Sequence, residues 1–298
     1  MKIERSNKLH LHYYFSDKSH GFNAIVRNEC EKEILQIFKE IASNLDLKLL
    51  IEAEPPKDGG FVEIWKFIGD NANQVTVIVS AIAIFLSRIP VQNKKLTQLQ
   101  IENLELDNEI KKEELKKLRL KSVVQSEITR ELIAKVVDLL NLNYRIIWRR
   151  SNFYKKITQY GRIEKVSSQR FLNETPVGND RTNQRAEFSK FILESDELPE
   201  ITIEGAVIDL ISPVLKSGRF QWKGFYNQEI ISFEMLDYKF SKMVQLGQVK
   251  MNNKAAISTR LKFKRKIDEN GLIKAFKHKV LTVIEFSIDG QEQLTDTK

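Results

Sequence analysis

The sequence predicts an α+β chain that begins with a small β-α-β unit and ends in a β-rich barrel or sandwich. Between these parts it predicts a hydrophobic segment, which is a candidate transmembrane segment, and a long helix. Three observations lead to this fold class. They are helical periodicity near the N-terminus, an uncharged apolar run in the first third of the chain, and short alternating strands from Ile201 onward. With 298 residues the chain is long enough for about two domains.

The first predicted segment is a strand, a helix and a second strand. Lys8–Phe15 alternates and is rich in aromatic residues, Ala24–Leu45 has an apolar helical face, and Leu47–Ala53 is apolar and precedes a Pro- and Gly-rich turn. A unit of about 60 residues buries little surface by itself, so we expect it to need a neighbouring segment or subunit. The charged N-terminus lacks the apolar core of a signal peptide, which argues against secretion. The predicted organisation is a small α/β domain at 1–60, an amphipathic lead-in with the membrane candidate at 61–93, an oligomerisation helix at 94–143, a basic connector at 144–199 and a basic, ligand-sensing β-rich domain at 200–298.

The uncharged run Asn71–Ser87, between Asp70 and Arg88, is the central feature of the sequence. A membrane-spanning helix needs about 20 mostly apolar residues, with a lower limit near 17, and the run lies at that limit. Two interpretations stay open: a segment embedded in lipid, either spanning or re-entrant, and the buried core of a soluble domain. Phe61–Ile68, just before the run, predicts a short amphipathic helix whose Trp65 suits a lipid–water boundary. The cationic residues after the run favour a cytoplasmic C-terminal side.

A long helix is predicted for Leu96–Asn141, which contains neither Gly nor Pro and is dense in Leu, Glu, Lys and Gln. Its apolar residues form two offset stripes, and a strict heptad repeat fails, so the pattern favours a helix between several neighbours over a two-stranded coiled coil. We therefore expect a homo-oligomer. The alternative is a helical hairpin within one subunit.

Positive charge is concentrated in the C-terminal half. The net charge of +8 arises entirely after residue 144, since residues 1–144 hold 21 basic and 21 acidic side chains. Within 212–279 there are 15 basic and 5 acidic residues. A basic surface in one domain predicts a polyanionic partner there.

Basic and aromatic side chains interleave on two predicted hairpins of this domain. A cationic groove with aromatic platforms is typical of proteins that bind single-stranded nucleic acid. In the segment 260–266, alternation places Leu261, Phe263 and Arg265 on one face and four cations on the other. The alternative for Trp222, Phe220 and Phe225 is a place in the core. The predicted ligand-binding residues are Lys216, Arg219, Trp222, Lys223, Tyr226, Arg260, Lys262, Lys264 and Lys266.

No catalytic or metal-binding pattern accompanies this basic region. The chain has no Walker loop, no GxGxxG motif and no GxSxG motif. Its four histidines lack metal-ligand spacing, and its single cysteine, Cys30, excludes an intramolecular disulfide and a CxxC metal site. The sequence therefore predicts a protein that is not an enzyme and uses no metal or other cofactor.

The order of parts, with the 71–87 run and the cationic–aromatic segments 216–226 and 260–266, resembles membrane effectors of bacterial anti-phage defence systems of the Hailong type. That resemblance implies a pore gated by a DNA oligomer. The predicted function is a membrane-associated, pore-forming oligomeric effector in the inner membrane, in contact with lipid. Its cytoplasmic C-terminal domain would be gated by an anionic ligand such as a single-stranded oligonucleotide.

Two other functions are considered. The first is a soluble, cytoplasmic nucleic-acid-binding or adaptor protein whose hydrophobic run belongs to the core of an N-terminal domain. The second is an enzyme that acts on nucleic acid. It is disfavoured because the sequence shows no acidic metal-binding cluster.

Overall fold

The computed structural model describes two compact units, Met1–Ser195 and Asp196–Lys298. Each unit contains its own β-sheet, and the described chain is α+β. The described residues are 3–19, 21–45, 47–55, 61–88, 90–91, 128–214, 220–249, 252, 254–288 and 291–294.

Unit 1 is built on an antiparallel five-stranded sheet with the order β2-β3-β1-β4-β5. Its strands are β1 Lys8–Phe15, β2 Leu49–Glu54, β3 Phe61–Gly69, β4 Ile163–Leu172 and β5 Thr175–Gln184. Its helices are α1 Ala24–Asn44, α2 Ala72–Arg88, α3 Arg130–Leu142 and α4 Tyr144–Gln159, with a 3₁₀ helix at Arg185–Phe191.

Helices α1 and α2 cover the same face of this sheet. Phe38 of α1 packs edge-on against Trp65 of β3, and Arg170 of β4 donates a hydrogen bond to Ser80 of α2 over 2.6 Å. Trp65 and Arg170 are both register partners of Leu9 on the central strand, and directly opposite residues point to the same side of a sheet. The apolar face of the sheet is therefore buried under helices.

The uncharged run forms α2, a helix that is buried inside unit 1. Twelve of its side chains, from Val75 to Ser87, are buried against the sheet and α3. A helix that is apolar on all sides occurs either in a membrane or in a core, and here its own chain covers it. No helix among the described residues is long and apolar enough to cross a membrane. The prediction of a transmembrane segment at 61–93 is wrong.

Buried polar side chains satisfy the C-terminal end of α2. Arg150 of α4 is 0% exposed, donates from Nη1 to the Phe85 carbonyl over 2.8 Å, and lies 4.0 Å from the centre of the Phe85 ring. The Tyr154 hydroxyl donates to the Leu86 carbonyl over 2.7 Å. Burial lowers the pKa of Arg150 to about 9. The guanidinium caps carbonyls that have no intrahelical partner and lies at the negative end of the helix dipole.

The lead-in Phe61–Ile68 is a strand and not an amphipathic helix. Its apolar residues fit both periodicities, but β3 pairs with β1 on one side and with β2 on the other, so both sides of its backbone join the sheet. Trp65 and Phe67 then share a face beneath Phe38. Tertiary pairing overrides the local pattern here.

The long helix predicted for Leu96–Asn141 falls mostly on residues 92–127, which lie outside the described residues. The remaining part contradicts a single helix, because Thr129 is the N-cap of a new one. Its side chain accepts a hydrogen bond from the Leu132 amide over 3.1 Å, and its backbone is extended. Helix α3 ends at Leu142, where Asn143 caps α4.

Most of the segment 144–199, predicted as a basic connector, belongs to unit 1 and supplies one helix, two strands and the 3₁₀ helix. Helix α4 packs against α1, and strands β4 and β5 complete the sheet. The basic residues of α4 are used internally: Arg149 pairs with buried Glu33 at 3.1 Å. The basic composition of a segment does not show whether its cations form buried ion pairs or lie on a solvated surface.

Unit 2 is a five-stranded barrel with one additional strand. The sheet order is β11-β10-β8-β7-β6-β9, and pairing of β9 with β10 closes it. Strands β8 and β10 are parallel, and the other pairs are antiparallel. Its elements are β6 Glu197–Ser212, β7 Trp222–Tyr226, β8 Glu229–Met235, α5 Tyr238–Gln245, β9 Ala256–Ile267, β10 Ile273–Ile288 and β11 Gln291–Leu294.

Local turn chemistry builds the barrel hairpins. Asn227 and Gln228 both have positive φ, of 50° and 67°, which matches the two-residue turn that joins twisted antiparallel strands. Gly205, with φ 71°, lies at a register shift within the long strand β6. Side chains that point inward, including Trp222 and Phe233, form the core together with α5.

Candidate nucleic-acid interface

The structure assigns different environments to the predicted aromatic residues. Trp222 is 2% exposed and packs among Phe233 and Phe240 in the barrel core, so its predicted stacking role is wrong. Tyr226 is half-buried against the same core, whereas Lys223 is exposed. Lys216 and Arg219 lie outside the described residues.

An exposed apolar surface covers the outside of β7 and β8. Phe225 is 44% exposed and lies directly opposite Ile230, which is 65% exposed. Phe220, just before β7, is 60% exposed, and Lys223 points to the same side as Phe225. We call Lys223, Phe225 and Ile230 the platform.

Gly224 lets β7 approach β6 beneath the platform. A Cβ at this position would clash with the Ile208 side chain and would lie 2.7 Å from the Asp209 carbonyl oxygen. Only glycine fits at this crossing without a shift of the backbone, so the orientation of Phe225 depends on it.

The four cations of β9 point outward, as the alternation predicts, while Leu261, Phe263 and Arg265 are buried. Three of the four form ion pairs with glutamates of β6, and the fourth, Lys266, is the register partner of Glu197. Arg260 pairs with Glu204 at 2.6 Å and Lys262 with Glu200 at 2.5 Å, and Lys264 lies 3.7 Å from Glu197. The hydrogen bond from Lys262 lowers the pKa of Glu200. Such surface pairs contribute about 0–1 kcal/mol each, so the cations stay available for exchange with another anion.

The fourth cation, Lys266, faces residues of β10 that the predicted site omits. Its ammonium group lies 5.6 Å from the centre of the Phe276 ring, and that of Lys277 lies 5.8 Å from it. Lys274 is the register partner of Lys266. The Asp268–Gly271 turn predicts a hairpin, and residues at equal distances from the turn are expected to pair. This rule brings Lys266 close to Lys274 and Phe276 from the sequence alone.

Lys223 and the β9 cations do not form one groove. Lys223 is opposite Ser212 of β6, whereas Lys262 is opposite Thr202. These partners are about ten residues apart, or about 30 Å of extended strand. The platform and the β9 cations therefore occupy different parts of the barrel surface.

The described histidines of unit 1 pack against aromatic rings. No group of three or more metal-ligating side chains occurs in the part of the chain that the structure describes. His10 stacks on Phe171 and His12 on Tyr14, each at less than 4 Å between ring centres. Both rings pack on the side of the sheet opposite to Leu9, so their role there is packing.

A small cavity of about 160 Å³ lies between α1 and β3, with Glu63 in its wall. The Tyr13 hydroxyl donates to this carboxylate over 3.0 Å, and Arg27 donates over 3.2 Å. Burial raises the pKa of Glu63 to about 7. Cys30 is buried nearby, and burial raises the pKa of its thiol, so it is a poor nucleophile.

The connectivity of the barrel is the decisive observation about unit 2. Around the barrel its five strands follow the order first, second, third, fifth, fourth, with α5 between the third and the fourth. This is the Greek-key arrangement of the OB fold, in which the outer face of the second and third strands binds oligonucleotides or oligosaccharides. Comparison of the chain with protein families, curated proteins and solved structures finds no match. The OB-type assignment rests on strand order and pairing.

Proposed function

We propose that unit 2 binds single-stranded nucleic acid through the platform on β7 and β8. The observation that carries this proposal is the exposure of Phe225, on the same strand face as Lys223 and opposite Ile230, on the second and third strands of an OB-type barrel. This is one of the functions considered from the sequence, with Phe225 in place of Trp222 as the stacking residue.

The chemistry of the platform suits unpaired bases. An exposed aromatic ring binds a base through its π face, which contributes about 1–3 kcal/mol per base with little dependence on sequence. Ile230, directly opposite Phe225, widens the apolar surface on which a base can rest. Lys223, on the same strand face, supplies a cation for the adjoining phosphate.

The proposal keeps ligand sensing by the C-terminal domain and omits the membrane pore, because α2 is packed inside unit 1. The predicted homo-oligomer and the role in anti-phage defence stay predictions. Most of the segment on which the oligomer depends lies outside the described residues.

The test measures binding of the full chain to a fluorescent single strand of about 16 nucleotides, the upper end of the site sizes of OB-type barrels. Phe225→Ala removes one stacking ring, so we expect affinity to fall about 5- to 150-fold. Tyr238→Ala is the matched control, because Tyr238 is an aromatic residue of unit 2 that is 77% exposed on α5. Equal affinities of the wild type and Phe225→Ala would refute the proposal.

A second candidate function is that of an adaptor that binds another protein on the same surface. It is favoured by Val207 and Ile211 of β6, which are 57% and 46% exposed and add apolar area to the outer surface of the barrel. Nucleic-acid binding with a linear dependence of log Kd on log salt supports the first function. The adaptor function is supported if Phe225→Ala leaves the oligonucleotide affinity unchanged and Ile211→Asp abolishes binding of a purified protein partner.

A further inference from the structure

Like charges face each other across β9 and β10. The register places Lys266 opposite Lys274 and Lys262 opposite Lys279. Directly opposed like charges destabilise an antiparallel pair, and the Lys274 side chain is 63% exposed. Carboxylates already relieve part of this repulsion, since Asp268 pairs with Lys274 at 3.3 Å and Glu234 pairs with Lys279 at 3.2 Å. A further anion would therefore meet Lys266, which forms no ion pair within the described part of the chain.

A bulge adds a further cation at this position. Lys264 pairs with Phe276 and the next pair is Lys262 with Lys279, so three residues of β10 match two of β9. Within the bulge Lys277 has φ 53°, a conformation that is uncommon for a residue other than glycine. Bulges redirect side chains and recur beside binding sites. Here the ammonium groups of Lys266 and Lys277 both lie within 6 Å of the centre of the half-buried Phe276 ring.

The cations nearest the ring form no ion pair with a described carboxylate, although Glu197 is the register partner of Lys266 on β6. Among the described residues, neither Lys266 nor Lys277 forms an ion pair, in contrast to the β9 cations beside β6. Both are exposed. The basic seam, as we call it, consists of the outward side chains of β9 and the adjoining residues of β10: Arg260, Lys262, Lys264, Lys266, Lys274, Phe276 and Lys277.

The spacing of the seam fits a chain of phosphates better than a single phosphate. Alternate residues of a strand are about 6.8 Å apart on one face, so Lys262, Lys264 and Lys266 form a regular row. This separation is comparable to that of successive phosphates in an extended single strand. Phe276 provides a surface on which one base can stack.

We infer that the basic seam binds the phosphodiester backbone of single-stranded nucleic acid, and that Glu197, Glu200 and Glu204 limit its affinity by competing for the β9 cations. The inference rests on the proposed function. It adds a second contact surface on different strands and a set of glutamates that lowers the affinity for nucleic acid. The same cations could meet the phosphates of a lipid surface, so the test includes one.

The test uses the full chain, a fluorescent single strand and a series of salt concentrations. Lys266→Gln/Lys277→Gln removes two phosphate contacts, so we expect the slope of log affinity against log salt to become shallower by about 1.4. The affinity at low salt should fall on the order of 10-fold. Glu197→Gln/Glu200→Gln/Glu204→Gln should raise the affinity several-fold, because it frees three cations. The matched control, Lys239→Gln/Lys242→Gln, removes the same charge from α5 and should leave the slope unchanged.

Opposite shifts from the lysine and glutamate variants, with an unchanged control, support the inference. Wild-type affinity and slope in Lys266→Gln/Lys277→Gln overturn it, and Phe225→Ala then shows whether the proposed function survives. If the wild type binds no single strand, both proposals fail. Binding to phosphatidylserine vesicles that depends on Lys266 and Lys277, without oligonucleotide binding, also overturns the assignment to nucleic acid.

Discussion

Substitution of Glu63 tests whether a buried carboxylate makes unit 1 sensitive to pH. Tyr13 of β1 and Arg27 of α1 donate hydrogen bonds to this group, Glu31 and Cys30 lie close by, and its side chain is 3% exposed. Burial, the largest influence, raises its pKa from 4.5 to about 7. Because the folded chain holds this proton more tightly than the unfolded chain does, the free energy of unfolding falls as pH rises from about 4.5 to about 7.

A pKa that moves from 4.5 to about 7 corresponds to about 3 kcal/mol of stability lost across that interval. Glu63→Gln keeps an acceptor for Tyr13 and cannot ionise, so this contribution should vanish. We expect the variant to gain stability over the wild type as pH rises to 7. The difference between the two proteins should be smallest at pH 4.5.

The assay is urea unfolding at several pH values, followed by tryptophan fluorescence. A Trp222→Phe background leaves Trp65 and Trp148, both in unit 1, so the signal reports that unit alone. Glu52→Gln is the control, because this glutamate forms only a surface pair with Lys66. A difference between Glu63→Gln and the wild type that stays constant from pH 4.5 to 8 would refute the proton linkage.

Three further predictions concern stability. Arg150→Ala should destabilise unit 1 by about 1–3 kcal/mol in urea unfolding, because the buried Phe85 carbonyl loses its donor; an unchanged free energy of unfolding would contradict that role. Gly224→Ala should lower the stability of unit 2 by about 1–3 kcal/mol in thermal unfolding, since a Cβ overlaps β6; an unchanged Tm would show that β6 yields. Trp222→Ala should destabilise unit 2 by about 3–5 kcal/mol, whereas Phe220→Ala should change it by less than about 0.5 kcal/mol, as amide hydrogen exchange of the barrel strands can measure.

Local chemistry was sufficient to predict most of the barrel. Asn227-Gln228 between two alternating segments predicts a hairpin, and the structure has β7 and β8 on either side of that turn. The alternation of 260–266 correctly separates the four outward cations from the inward Leu261, Phe263 and Arg265. Successive side chains of a strand point to opposite faces because of the backbone geometry. The alternation therefore predicts side-chain orientation wherever a strand forms.

The sequence gives less information on which aromatic residue of β7 points into the core. Trp222 and Phe225 lie on opposite faces of the strand, and both are aromatic, so hydrophobicity alone does not show which one points inward. The available signal was Lys223, which shares a face with Phe225 and belongs in water. Because a charged side chain belongs in water, the position of Lys223 predicts that Phe225 points outward and that Trp222 points into the core.

Contacts between distant segments could not be predicted from local patterns. The pairing of Lys262 with Glu200 joins residues about sixty positions apart and depends on the closure of the barrel. The environment of α2 likewise depends on Arg150 and on strands β4 and β5, which follow it in the chain. A run that is apolar on all sides satisfies a bilayer and a protein interior equally well, and only the partners decide between them.

The position of those partners has a consequence for biosynthesis. When α2 leaves the ribosome, β1 and β3 are present, but the arginine that ties down its end and the strands that complete its sheet are not yet made. About 95 more residues separate Arg88 from the end of β5, which at typical translation speeds is roughly 5–20 s. During that interval the nascent chain exposes an apolar, aggregation-prone segment. Its yield in a cell therefore depends on keeping that segment away from other chains until the remaining elements of unit 1 are made.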